Sequence, residues 1–222
     1  MDFEVFDVRA LLFDCDGVLV DSHSAAAVAW NAWAQHWAPG FDFLRDVEHG
    51  RRIRDVVAEL VGDPDDVDTA AAELRQRELD CATDVRPIPG ACELVDSCPA
   101  GQWAVVTSGG RVLAGARMAS AGIATPDVLV TGEDVEHGKP SPDPYLLAAR
   151  RLGIDPGRCA VFEDAPAGIA SARAAGVATV IGVGEAAVAA EVTVAVADLR
   201  GIDFDGGRLR IAAHTILPRD RR

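Results

Sequence analysis

Six short apolar runs recur along the chain, each bounded by turn residues: "ALLF" at 10–13, "WAVV" at 103–106, "DVLV" at 127–130, "CAVF" at 159–162, "ATVI" at 178–181 and "VTVAV" at 192–196. Runs this short and this uniformly apolar suit strands buried on both faces, not strands with one wet side. Between them lie "RVLAGARMASAG", "PDPYLLAARRLG" and "APAGIASARAAG". Each has a helical pattern and closes on a glycine, which tolerates the left-handed turn at a helix C-terminus. Strands alternating with helices of this length specify a parallel sheet covered on both faces. The predicted fold class is α/β.

One region breaks the alternation. From 21 to 85 the sequence offers helical patterns and acidic loops such as "GDPDDVD", with no convincing strand. Trp30, Trp33 and Trp37 recur there at helical spacing, which predicts packing inside a helical unit more readily than a stacking platform for a ligand. The alternation resumes at "RPIPGA". The expected organisation is a core formed by 1–20 and 86–222, with 21–85 inserted as a helical cap. In open parallel sheets ligands sit beyond the carboxyl ends of the strands. An insertion after the first of these runs is placed to form a lid over that edge.

The chain of 222 residues carries 21 Lys and Arg against 35 Asp and Glu, a net charge of −14. That balance argues against nucleic acid or an anionic membrane as partner, but leaves room for a small phosphorylated molecule in a locally positive site. No apolar stretch approaches a membrane span, and the acidic start "MDFEVFDVRA" lacks the order of a signal peptide, so the cytoplasm is the expected compartment and a monomer the default state. The five cysteines have no paired ligand spacing and read as reduced thiols.

Chemistry gathers at the predicted strand ends. Asp14 and Asp16 follow "ALLF"; Thr107, Ser108 and Gly109 follow "WAVV"; Lys139 lies in the "HGKPSP" loop after "DVLV"; Glu163 and Asp164 follow "CAVF". Each alone has an ordinary reading as a turn, a cap or a solvated lysine. Together they line one sheet edge with acids, hydroxyls, a glycine turn and one ammonium. Such an edge suits a Mg²⁺-type cation and a phosphate. Two carboxylates as close as Asp14 and Asp16 repel unless one is protonated or both face a cation. The glycine at 17 can supply the tight turn that brings them to a shared site.

The motifs "FDCDG", "VVTSG", "GKPSPDPY" and "FEDAPAG", in this order and context, resemble those of the haloacid dehalogenase superfamily of phosphohydrolases. The resemblance covers nearly the whole chain. With "AWNAWA", "HGRR" and "IPGA" it is closest to the helical-cap branch that holds sugar phosphatases and β-phosphoglucomutases. It implies a Rossmann-like core and a Mg²⁺-dependent phosphatase of sugar or polyol phosphates. Asp14 is then the nucleophile and Asp16 the acid/base. Thr107, Ser108 and Gly109 hold phosphate, Lys139 neutralises charge, and Asp14, Asp16, Asp164 and Glu163 serve the metal. In the cap it implies substrate contacts from Gly50 and Arg52 of the "HGRR" loop, and from His23 after the hinge. A mutase is the alternative. The β-phosphoglucomutases carry a histidine five residues beyond the hinge aspartate; counted from Asp21, this chain has Ala26, which favours hydrolysis. A non-catalytic ligand-binding protein on the same fold is the remote alternative.

Overall fold

The computed structural model describes residues 2–83 and 85–218. In chain order its strands are β1 (Phe3–Asp7), β2 (Ala10–Phe13), β3 (Val20–Asp21), β4 (Arg86–Pro87), β5 (Trp103–Val106), β6 (Val128–Val130), β7 (Cys159–Glu163), β8 (Thr179–Val183), β9 (Val194–Val196), β10 (Ile202–Phe204) and β11 (Arg208–Ala212). Its α-helices are α1 (His23–Trp37), α2 (Phe43–Asp46), α3 (Ile53–Leu60), α4 (Val67–Asp80), α5 (Ala91–Ser97), α6 (Arg111–Ser120), α7 (Asp143–Leu152) and α8 (Pro166–Ala174).

Six strands form one sheet in the order β6-β5-β2-β7-β8-β9, with every pairing parallel. The pleat explains the unbroken apolar runs. Leu11 and Phe13 join Val105, Phe162 and Ile181 in one core beneath α5 and α6. Ala10 and Leu12 face the other way, with Val106, Val161 and Val180, into a second core that includes Tyr145 of α7 and Ile169 of α8. Both faces of β2 are thus dry, and a buried Leu or Phe contributes about 1.5–3 kcal/mol. The expected α/β architecture is present.

Between the short hinge strands β3 and β4, which pair antiparallel with Asp21 opposite Arg86, the described residues form helices and the loops that join them, with no strand. They share a core built on Trp30, Trp33, Phe43, Val57 and Leu74. Each tryptophan of the stripe also satisfies its indole N–H, on Glu78, the Ala70 carbonyl and Glu73 respectively. The stripe is packing, and it fixes α1 against α4.

The C-terminal hairpin differs from a simple edge of the main sheet. β10 and β11 pair antiparallel, but β11 also pairs with β1, giving a separate three-stranded sheet. Its Phe204, Leu209 and Ile211 close the first core. Among the described residues no helix is long and apolar enough to cross a membrane. All five cysteines are free thiols.

Candidate active site

The nucleophile candidate is set by β2. Asp14 follows its last residue, 5% exposed, with its amide donating to the Phe162 carbonyl at 2.9 Å. The chain then reverses at Gly17, whose φ of 78° is left-handed, and the Gly17 amide closes the turn on the Val20 carbonyl at 2.8 Å. A Cβ at Gly17 would overlap the Asp164 carboxylate, so glycine is required there twice over. Asp14, Asp16 and Asp164 thereby line one cavity.

Lys139, 2% exposed, spends all three ammonium protons. It donates to Asp14 Oδ1 at 2.6 Å, Glu163 Oε1 at 2.5 Å and the Val106 carbonyl at 3.0 Å. Burial alone would lower its pKa, but the Asp14 and Glu163 carboxylates outweigh burial and hold it above its ordinary value. Glu163 is fully buried, and both its oxygens are engaged. Oε1 also accepts from the Tyr145 hydroxyl at 2.8 Å, and Oε2 from the Ala165 amide at 3.2 Å. Expected as a metal ligand, Glu163 is first the anchor that aims Lys139. It fits because α8 has Gly168 opposite, where a Cβ would overlap its carboxylate.

The acids are short of compensation. Burial, reinforced by Glu163 and Asp16 and opposed by Lys139, raises the Asp14 carboxyl to about 7. Burial, with Glu163 and Asp14, holds Asp164 well above the carboxylate range. One oxygen from each of Asp14, Glu163 and Asp164 lies within 4.8 Å of the others. Three such acids around a single ammonium form a hard, oxygen-only set that a divalent cation of the Mg²⁺ type fits.

The phosphate candidates divide. The Thr107 hydroxyl accepts the Gly109 amide at 3.0 Å, which leaves its own proton for another acceptor. Gly109 therefore shapes the turn and spends its N–H on Thr107. The Ser108 hydroxyl donates to the Gly50 carbonyl at 2.6 Å, tying the core to the helical insertion. The Ser108 amide donates to no protein group among the described residues.

The insertion roofs the site. His23 lies with Nε2 3.7 Å from Asp164 Oδ2, and its ring meets His49 edge-on at 5.0 Å between centroids. Burial and the neighbouring His23 lower the His49 pKa. Of the two loop residues named for substrate contact, Gly50 lines the cavity and Arg52 does not. Its guanidinium is paired with Asp55 and donates to the carbonyls of Val135 and Glu136 at 3.2 and 3.0 Å, while its stem lies along Gly132 and Gly138. Arg52 is thus a clasp between insertion and core, and its neighbour Arg51, held by Glu48 and Glu59, lines the cavity instead.

Three functional candidates escaped the sequence reading: His49, Tyr145 and Arg117. Arg117, on α6, is 4% exposed and donates to Asp16 Oδ1 at 2.8 Å. A signal did exist for it, because it occupies the same helical stripe as Leu113, Ala114 and Met118. An arginine on an apolar stripe asks for a reason.

A model of the haloacid dehalogenase-like hydrolases matches residues 8–176. Hexitol phosphatase A of Escherichia coli (strain K12) is 39% identical over 172 residues, 76% of this chain and 80% of that protein. Glycerol-1-phosphate phosphohydrolase 2 of Saccharomyces cerevisiae is 36% identical over 181 residues, covering 76% of this chain and 72% of that one. The structure of a β-phosphoglucomutase from Clostridium difficile superposes with a TM-score of 0.74 over 89% of this chain and 94% of that chain, at 20% identity, a likeness of fold alone. The strand-end acids, the lysine and the matched span agree: the chain belongs to the haloacid dehalogenase-like hydrolases.

Proposed function

We propose that the protein is a Mg²⁺-dependent phosphatase of small sugar or polyol phosphates, working through an aspartyl-phosphate on Asp14. The observation that carries this reading is the buried Asp14 carboxylate held at 2.6 Å by Lys139, with Asp164 beside it and Asp16 across the Gly17 turn. The phosphatase relatives supply the ester class.

Phosphoryl transfer asks for an in-line nucleophile and for charge compensation around the transferred group. Asp14 attacks phosphorus, and covalent capture splits one difficult displacement into two easier ones. Asp16 gives a proton to the leaving alcohol, then takes one from the water that hydrolyses the phosphoenzyme. The Thr107 hydroxyl and the free Ser108 amide donate to the phosphoryl oxygens, and Lys139, its three protons committed, contributes its charge. Asp14, Asp164 and the Asp16 backbone carbonyl would hold Mg²⁺, which when bound supplies the missing positive charge and polarises the phosphoryl group. The insertion, which we take to be a cap formed by 21–85, excludes bulk water while the phosphoenzyme exists.

The test is phosphate release from a panel of sugar, polyol and nucleotide monophosphates, with Mg²⁺ and with EDTA. Expected are metal-dependent release concentrated on a few sugar or polyol phosphates, and its loss in Asp14→Asn. Absence of release from every ester by folded, Mg²⁺-binding protein would sink the reading. A mutase would instead require a sugar bisphosphate to start turnover. The cavity offers Ala26 where that branch has its histidine.

A further inference from the structure

Arg117 and Glu78 form a buried pair that nothing so far uses. Arg117 belongs to the core helix α6 and Glu78 to α4 of the insertion, with side chains 4% and 7% exposed. Their closest atoms, Nη2 and Oε1, are 3.7 Å apart, an ion pair but not a hydrogen bond. Nε and Nη2 of Arg117 have no hydrogen-bond partner, while the Trp30 indole donates to Glu78 at 2.9 Å. As a stabilising device this is poor. A buried guanidinium with two unpartnered nitrogens costs more than a leucine on the same stripe. Its one full hydrogen bond among the described residues goes to Asp16 Oδ1 at 2.8 Å. The Ser22 hydroxyl donates to that same oxygen at 2.6 Å. Oδ2 of Asp16 accepts nothing among the described residues, and Asp16 lines the cavity.

This asymmetry has a chemical consequence. A carboxylic acid has one oxygen that only accepts and one that carries the proton. With Arg117 and Ser22 both donating to Oδ1, the proton of Asp16 belongs on Oδ2, the unbonded oxygen. We propose that Arg117, braced by Glu78, is the positioning residue of the acid/base: it pins Asp16 by Oδ1 so that Oδ2 delivers the proton to the leaving oxygen. The inference rests on the phosphatase reading above and on the role it gives Asp16. In the first half-reaction the Oδ2–H proton passes to the bridging oxygen as that oxygen takes the electron pair of the breaking P–O bond, and the alcohol leaves. Asp16, now a carboxylate, then takes a proton from the water that attacks phosphorus, and Asp14 departs as a carboxylate with release of phosphate. Because Glu78 sits on the insertion, the brace is complete only when the insertion is seated on the core.

Leaving-group dependence tests this. An alkyl phosphate needs its leaving oxygen protonated, whereas p-nitrophenyl phosphate expels an oxygen acidic enough to depart alone. The measurement is kcat/KM, which reports steps up to phosphoenzyme formation, on the best alkyl ester of the panel and on p-nitrophenyl phosphate. For Arg117→Met the expected loss is roughly 30–100-fold on the alkyl ester and less than about 3-fold on the aryl ester. Arg117→Lys, which keeps a cation and one donor, should recover part of the alkyl activity and preserves the test if the methionine variant fails to fold. Asp16→Asn, run in parallel, should show the same asymmetry more strongly. Equal losses on both esters in the Arg117 variants overturn the inference and leave Arg117 a structural residue. Equal losses in Asp16→Asn overturn the acid/base role of Asp16 itself, and the inference falls with it.

Discussion

Two aspartates beyond strand ends of the same sheet have opposite fates. Asp134, in the loop after β6, accepts from the Thr131 amide and hydroxyl at 2.9 and 2.7 Å and from Arg111 and Arg151 at 2.7 and 2.8 Å. Burial would raise its carboxyl, but the Thr131 hydroxyl and the two arginines overcome it and pull the pKa to about 2. Asp14, after β2, is held at a similar distance by Lys139, yet its carboxyl is pushed up to about 7. The difference lies in deeper burial and in the number of donors set against it, not in bond length. Four donors converge on Asp134, whereas one ammonium is divided between Asp14 and Glu163, and the nearest ion-pair partner of Asp164 among the described residues is His23 at 3.7 Å. The first cluster is electrostatically complete. The second is left incomplete, and the proposed function completes it with a cation and the dianionic end of a phosphate ester beside that cation.

The largest test of this contrast is Asp14→Asn. Phosphate release should fall by roughly 10³-fold or more with the nucleophile gone. Stability should move the other way. A carboxyl raised from 3.8 to about 7 makes the folded protein bind a proton that the unfolded chain has released, so stability declines as pH rises through that window and is lowest above 7. Neutral asparagine escapes that cost. In EDTA at pH 8 the variant should be more stable than the parent by about 1–3 kcal/mol, read from urea midpoints, with the gain disappearing near pH 4. A variant less stable at pH 8 would mean that Lys139 compensates the site in full, and the contrast with Asp134 would be gone.

Much of this cluster is legible in the sequence, for a physical reason. Asp14, Thr107, Glu163 and Asp164 each follow an apolar run too short to be anything but a buried strand, so their common edge follows from the fold class. Residues whose role depends on distant partners are not legible. Arg51, Arg52 and Arg54 lie on one turn, and nothing local tells which will meet the carbonyls of Val135 and Glu136, more than 80 positions away. Tyr145 reads as an ordinary helix residue until α7 brings its hydroxyl to Glu163. β1 is hidden for the opposite reason. Its Phe3 and Val5 remain 45% and 52% exposed, so the alternation marks no core face.

The next test acts on the complete cluster. Asp134→Asn removes a carboxylate whose pKa is depressed, so the stability it provides is present above the unfolded value near 3.8 and is lost as pH falls toward 2. At pH 7 the variant should lose about 1–2 kcal/mol, roughly 2–6 °C in Tm, and that deficit should have shrunk to about a third near pH 2.5. Arg111 and Arg151 remain 48% and 38% exposed, so no buried cation is stranded by the change. A loss that persists unchanged at pH 2.5 would assign the effect to packing rather than to charge.

Redundancy predicts the smallest effect. Arg111→Gln takes one donor from Asp134 but leaves Arg151 and both Thr131 donors in place. A half-exposed ion pair of this kind contributes about 0.5 kcal/mol or less, so the urea midpoint should barely move at pH 7 and the acid unfolding profile should keep its shape. The analogous removal at the other cluster has no such reserve, because Lys139 is the sole side-chain cation touching Asp14 and Glu163 among the described residues. If Arg111→Gln costs as much as Asp134→Asn, a single arginine sustains the Asp134 cluster after all. The two sites would then differ only in burial, and the number of donors would no longer explain why one acid is settled and the other waits for a ligand.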